Sequence, residues 1–136
     1  MSTEQGNTRA PAVLVVDDDR NVCDLICEEL ADRGYGAAAV SNGREALDYL
    51  RGPAPAPKLI LLDLMMPVMN GWEFQKARQD DPALSCIPVA IITGLDDGGE
   101  KARRLGAVDV LVKPSRIEDL YALAARFCGR PPAALE

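Results

Sequence analysis

The sequence predicts an α/β domain, a doubly wound five-stranded parallel sheet with helices on both faces. Three observations carry this prediction. Short, wholly apolar runs recur along the chain, among them AVLVV at 12–16, LILL at 59–62 and PVAII at 88–92. Such runs suit strands buried on both faces of a parallel sheet. Between the runs stand segments whose apolar residues follow helical spacing, and this alternation is that of strands joined by helical crossovers. At 136 residues the chain has the length of one ordinary domain. The alternating units differ in length and share no motif, which excludes a repeat architecture.

The elements follow in order. Residues 1–11 are small and polar and are expected to form a disordered leader. Ala12–Val16 is the first strand, halted by Asp17, Asp18 and Asp19. Val22, Leu25, Ile26 and Leu30 share one helix face within 20–33, and Gly34 is placed to end that helix. Gly36–Val40 is a weaker strand. Ser41 is the expected N-cap of a helix running to Leu50. Gly52–Pro57 alternates Pro with Ala and reads as an extended connector. Leu59–Leu62 is the clearest strand and ends at Asp63. A loop with Pro67, Asn70 and Gly71 leads into a helix near Trp72–Asp80. Pro88–Ile92 is the fourth strand, ending at Thr93. A Gly-rich turn and a short helical stretch run to Leu105 and close at Gly106. Val108–Val112 is the last strand, followed by Lys113-Pro114. Ile117, Leu120, Tyr121, Ala124 and Phe127 mark an amphipathic terminal helix, and residues 129–136 form a short tail.

Composition narrows the function. Fifteen Lys and Arg stand against 21 Asp and Glu, a net charge of −6. That argues against non-specific nucleic-acid binding, which needs cations to displace counterions from phosphates, and against a polybasic membrane role. His is absent, which removes histidine bases and imidazole metal ligands. The four Cys (Cys23, Cys27, Cys86, Cys128) form no C-x-x-C pair. They read as packed free thiols, in keeping with a reducing cytoplasm. No run reaches the roughly 18–20 apolar residues of a membrane span, and the polar N-terminus lacks a signal-peptide centre.

In open α/β sheets ligands bind beyond the carboxyl ends of the strands. The residues there are Asp17 and Asp18, Asp63, Thr93 and Lys113. Taken singly, each has an ordinary reading: a helix cap, a turn acid, a loop hydroxyl, a solvated charge. Together, three carboxylates at one edge repel and persist more readily around a cation. Oxygen ligands with room for water suit Mg²⁺. The same parts suit phosphoryl transfer to a carboxylate nucleophile, which is already ionised and needs no base.

VLVVDDD (13–19), LILLDLMMPVMNGWEF (59–74), PVAIITG (88–94) and GAVDVLVKP (106–114) together resemble the receiver domain of bacterial response regulators, over roughly residues 12–128. The resemblance implies a flavodoxin-like sheet of strand order 2-1-3-4-5. It implies that Asp63 is the phosphoacceptor and that Asp17, Asp18, Asp63 and the backbone carbonyl of Met65 hold Mg²⁺, with Asp18 the more direct ligand of the acid pair. It further implies that Thr93 moves to the phosphoryl group, that Lys113 pairs with it, and that Lys113–Pro114 is a candidate cis bond. The phosphoryl group would come from a histidine kinase or a histidine phosphotransfer protein. Output would pass to a downstream protein or by onward transfer, with no nucleic-acid or membrane contact and no attached output domain. A cytoplasmic monomer or weak dimer is expected, not an enzyme beyond its own phosphorylation and dephosphorylation.

The chain departs from that pattern in places. Val110 stands where receivers usually carry an aromatic that turns inward on activation, so output is expected to bypass that coupling. The Thr93–Gly106 segment is short and contains Gly98-Gly99, each costing a helix about 1 kcal/mol relative to Ala. Gly94 replaces a common Ala and opens the site to water. Trp72 is a packing residue or a reporter of binding. Lys58 stands where the family often has an acid and is assigned no function. Three other functions compete: an Mg²⁺-dependent hydrolase using Asp17-x-Asp19, a receiver-like scaffold that no longer takes phosphate, and a dinucleotide-binding fold. The last lacks a G-x-G-x-x-G after the first strand.

Overall fold

The computed structural model describes residues 11–94, 103–104, 106–113 and 116–129. The described strands are β1 (Val13–Val16), β2 (Ala37–Val40), β3 (Leu59–Leu62), β4 (Val89–Thr93) and β5 (Asp109–Val112). The described helices are α1 (Arg20–Asp32), α2 (Gly43–Arg51), α3 (Gly71–Asp80) and α4 (Ile117–Cys128). All strand pairs are parallel, in the order β2-β1-β3-β4-β5. The strand order implied by the family resemblance is therefore the observed one. The sequence-predicted leader over 1–10, the Gly98-Gly99 helix, Pro114 with its candidate cis bond, and residues 130–136 of the tail lie outside the described residues.

The continuous apolar runs have a simple cause. Side chains alternate across a strand, and both faces of this sheet are covered. Leu14 and Val16, Ile60 and Leu62, and Val89 and Ile91 point into one core, with Leu47 and Leu50 of α2 and Phe74 of α3. Val13 and Val15, Leu59 and Leu61, and Ala90 and Ile92 point into the other, with Ile26 and Leu30 of α1 and Leu120 and Leu123 of α4. A strand in the middle of this sheet therefore has no polar face to show.

The helix starts are set by side-chain caps. Asp19 caps α1, accepting from the backbone N–H groups of Asn21 and Val22. Ser41, the expected cap of α2, is not the cap. Asn42 fills that position and accepts from the Glu45 backbone N–H at 2.9 Å. Ser41 instead donates both its N–H and its hydroxyl to the Glu45 carboxylate, each at 2.8 Å. Asn70 and Glu73 form a reciprocal capping box at the start of α3. The α1 helix ends as expected, with Gly34 in the left-handed region at φ 88.

Candidate functional site

The β1–β3 register pairs Val16 with Leu62, so Asp17 and Asp63 emerge side by side from neighbouring strands. The Asp63 N–H donates to the Val16 carbonyl at 2.9 Å, and the Asp17 N–H to the Val40 carbonyl at 3.1 Å. Thr93 pairs with Val112, and the Lys113 N–H donates to the Thr93 carbonyl at 2.8 Å. The ladder bonds thus carry each backbone one residue past its strand and aim Asp17, Asp63 and Lys113 at one spot.

There the Lys113 ammonium donates to Asp17 Oδ2 at 3.1 Å and lies 3.6 Å from Asp63 Oδ2. Asp17, Asp63 and Thr93 are buried, while Asp18 is exposed. Asp17 Oδ1 also accepts from the Asp19 N–H at 2.9 Å, and the Cys23 thiol donates to the Asp17 carbonyl at 3.2 Å. One oxygen from each of Asp17, Asp18 and Asp63 lies within 4.8 Å of the others. The predicted residues Asp17, Asp18, Asp63 and Lys113 therefore converge, and Thr93 closes the neighbouring strand end. Asp19 does not join the carboxylate cluster, because its side chain caps α1.

The electrostatics follow from this packing. Burial pushes the Asp63 carboxyl above the usual carboxylate range, and the neighbouring Asp17 charge pushes it further. Lys113 and the N–H groups of Met65 and Leu64 pull it back without overcoming the rise. Burial lowers Lys113, but its hydrogen bond to Asp17 and the charges of Asp63 and Asp17 outweigh that and leave it above its ordinary value. Three hard oxygen donors, held together against their repulsion with one ammonium, fit a divalent cation such as Mg²⁺.

The loop that presents Asp63 is tightly built. A Cβ at Gly71 would lie 2.4 Å from the Asp63 carbonyl oxygen and 2.7 Å from Leu64 Cα. Only glycine lets α3 start this close to the β3 exit. Met65 turns its N–H toward Asp63 and leaves its side chain exposed. Val68 has φ 70, a conformation rare for a β-branched residue. Gly71 belongs to the 59–74 segment that carries the family resemblance, whereas the Val68 strain has no signature in local sequence. Arg78 of α3 was likewise missed. It is buried, donating to Gln75 Oε1 at 2.9 Å and to the carbonyls of Ser85 and Ile87 at 2.8 and 3.1 Å. It holds the turn that leads into β4.

The family model for the response regulator receiver domain matches residues 13–125. The chain belongs to the response regulator receiver family. Receivers of this fold are phosphorylation-controlled signalling domains. This receiver is 37% identical over 112 residues to response regulator MprA of Mycolicibacterium vanbaalenii, covering 81% of the chain and 47% of that protein. It is 33% identical over 118 residues to the DNA-binding dual master transcriptional regulator RpaA of Synechocystis, covering 82% of the chain and 46% of that protein. The receiver thus spans about half the length of these curated relatives. Among solved structures, the receiver domain of Francisella response regulator 1452 superposes with a TM-score of 0.77 at 28% identity, covering 86% of this chain and 95% of that one. The chemotaxis response regulator CheY4 of Vibrio cholerae superposes with a TM-score of 0.75 at 30% identity, covering 88% and 99%.

Proposed function

We propose that this receiver accepts a phosphoryl group on Asp63 from a phosphohistidine of a histidine kinase or histidine phosphotransfer protein. The observation that carries this reading is the Asp63 carboxylate itself. It is buried beside Asp17 and within 3.6 Å of the Lys113 ammonium, at the edge where α/β sheets bind ligands. In the transfer, an Asp63 oxygen bonds to phosphorus as the phosphorus–nitrogen bond breaks. The electron pair of that bond stays on the imidazole nitrogen, which takes a proton from water. Lys113 and the Thr93 hydroxyl stabilise the phosphoryl oxygens. Asp17, Asp18, Asp63 and the Met65 carbonyl would hold Mg²⁺. When bound, the ion supplies positive charge against the phosphoryl oxygens.

The domain proper is residues 12–128. It acts as a signalling phosphoacceptor rather than as an enzyme with an outside substrate, and it loses the group to water. The hydrolase reading is disfavoured because Asp19, its second acid, is committed to capping α1. Output passes by contact with a protein target or by onward transfer. The net charge of −6 favours a protein over nucleic acid as the partner of this domain. The place of action is the cytoplasm and the working state a monomer or weak dimer. Free thiols support a reducing compartment, and among the described residues no helix is long and apolar enough to cross a membrane.

The test is incubation with Mg²⁺ and acetyl phosphate, read by intact mass. The wild type gains one acid-labile phosphoryl group and Asp63→Asn gains none. An equal adduct on Asp63→Asn would overturn the site.

A further inference from the structure

Asp18 is the exposed member of the carboxylate cluster, and among the described residues its carboxylate makes no hydrogen bond and no ion pair. Asp17, by contrast, is tied throughout. Its N–H donates to the Val40 carbonyl, Oδ1 accepts from the Asp19 N–H, and Oδ2 accepts from Lys113. Asp18 still keeps an oxygen within 4.8 Å of oxygens of Asp17 and Asp63, against their repulsion. Its placement therefore falls to the backbone. The Asp17–Asp18 peptide is a rigid plane. The group that anchors this plane at its carbonyl end is the Cys23 thiol, near the start of α1, which donates to the Asp17 oxygen at 3.2 Å. The direction of that bond is settled, because a carbonyl can only accept. Cys23 is itself held firmly. Its N–H donates to the Asp19 carbonyl at 3.0 Å, and its buried side chain belongs to the core of Val13, Val15 and Ile26. The core thus reaches the exposed acid through one thiol and one peptide plane.

We propose that Cys23 is a positioning residue for Mg²⁺ binding. It holds the Asp17–Asp18 peptide so that the Asp18 carboxylate stays with those of Asp17 and Asp63 and can serve as a ligand. The thiol is not a ligand itself, since its bond is to a backbone oxygen. Without it the plane is free to turn and to carry Asp18 away from the other two acids. The inference rests on the cluster being the Mg²⁺ site.

The experiment titrates the full chain with Mg²⁺, without a phosphodonor, and reads the dissociation constant from melting temperature and from Trp72 fluorescence. Cys23→Val removes the donor and keeps an apolar side chain of similar size. Cys23→Ser keeps a donor. Cys23→Val is expected to weaken Mg²⁺ binding roughly fivefold. Cys23→Ser is expected to recover most of that loss, even where its Mg²⁺-free melting temperature is lower. In an Asp18→Asn background Cys23→Val should cost little more, because the two residues act through one group. Unchanged Mg²⁺ binding in Cys23→Val would overturn the inference. So would equal losses in the Val and Ser variants, which mark a packing role, or a full additional loss in the Asp18→Asn background. No Mg²⁺ response in the wild type would instead remove the cluster as the ion site, and this inference with it.

Discussion

Lys113 stands closer to Asp17 than to Asp63, at 3.1 Å against 3.6 Å. The cation at the end of β5 is thus shared unequally between the acids of β1 and β3. Asp63 receives the weaker share, and its carboxyl remains above the usual range because burial and the Asp17 charge prevail over Lys113. A carboxylate left under-compensated in this way is poised to take up a cation or to be modified.

The native state consequently holds the Asp63 proton more tightly than the unfolded chain does. Ionisation of this group opposes folding. Its penalty is absent below the ordinary value of 3.8 and grows as pH rises through the higher folded value. Asp63→Asn removes the penalty at neutral pH. The variant is expected to melt higher than the wild type at pH 7. The advantage should vanish near pH 3–4. Thermal melts across pH check this, and a gain that persists undiminished in acid would contradict it.

Mg²⁺ should stabilise the wild type by mass action, by about 2.7 kcal/mol at a hundred times its dissociation constant. Asp17→Asn removes one of the three clustered carboxylates and should lose most of this stabilisation. Melting with and without Mg²⁺ measures the difference. The fluorescence of Trp72, packed partly buried against the core at the start of α3, offers a second readout. The same Mg²⁺ response in both proteins would rule out the cluster as the site.

Gly71→Ala places a methyl against the Asp63 carbonyl oxygen and Leu64 Cα, backbone atoms with little freedom to yield. A loss of about 3 kcal/mol is expected in urea unfolding, in the range of overpacked cores, together with slower phosphorylation of the displaced Asp63. A loss well below 1 kcal/mol would show that the β3–α3 loop shifts cheaply.

Val68 is 80% exposed, so little packing rewards its left-handed backbone. Asn tolerates that region better. Val68→Asn should gain about 1 kcal/mol in the same unfolding experiment. A neutral or destabilising result would mean that the strain is relieved by contacts of the Val68 side chain.

Thiol labelling should follow exposure and acidity. Burial, reinforced by the Asp17 charge, pushes the Cys23 thiol up to about 11, whereas Cys86 is exposed. At pH 8 a disulfide reagent should reach Cys86 first and Cys23 only on unfolding. Early labelling of Cys23, located by peptide mapping, would show that α1 opens readily beside the acid cluster.

The fold was largely legible in the sequence. Runs such as Leu59–Leu62 are apolar at every position because both faces of the sheet are covered, and that demand is written residue by residue. The cluster was legible because each of its members lies at or one or two residues past a strand, where a parallel sheet gathers side chains at one edge. Cap identity was less legible. Ser41 and Asn42 are both good caps by type, and the difference lay in which side chain accepted the Glu45 backbone N–H.

By itself the sequence determined the alternation of elements, the two-faced core and the set of residues at the sheet edge, because these depend on local periodicity and chain order. Only the tertiary structure decided that Lys113 favours Asp17 over Asp63, that Asp19 caps a helix instead of joining the acids, that Gly71 abuts the Asp63 backbone, and that Arg78 is buried on carbonyls of the turn before β4. Each of these is a distance of a few ångströms between groups set by packing and backbone geometry. Such distances come from strand register and helix packing, which residue type and spacing do not specify.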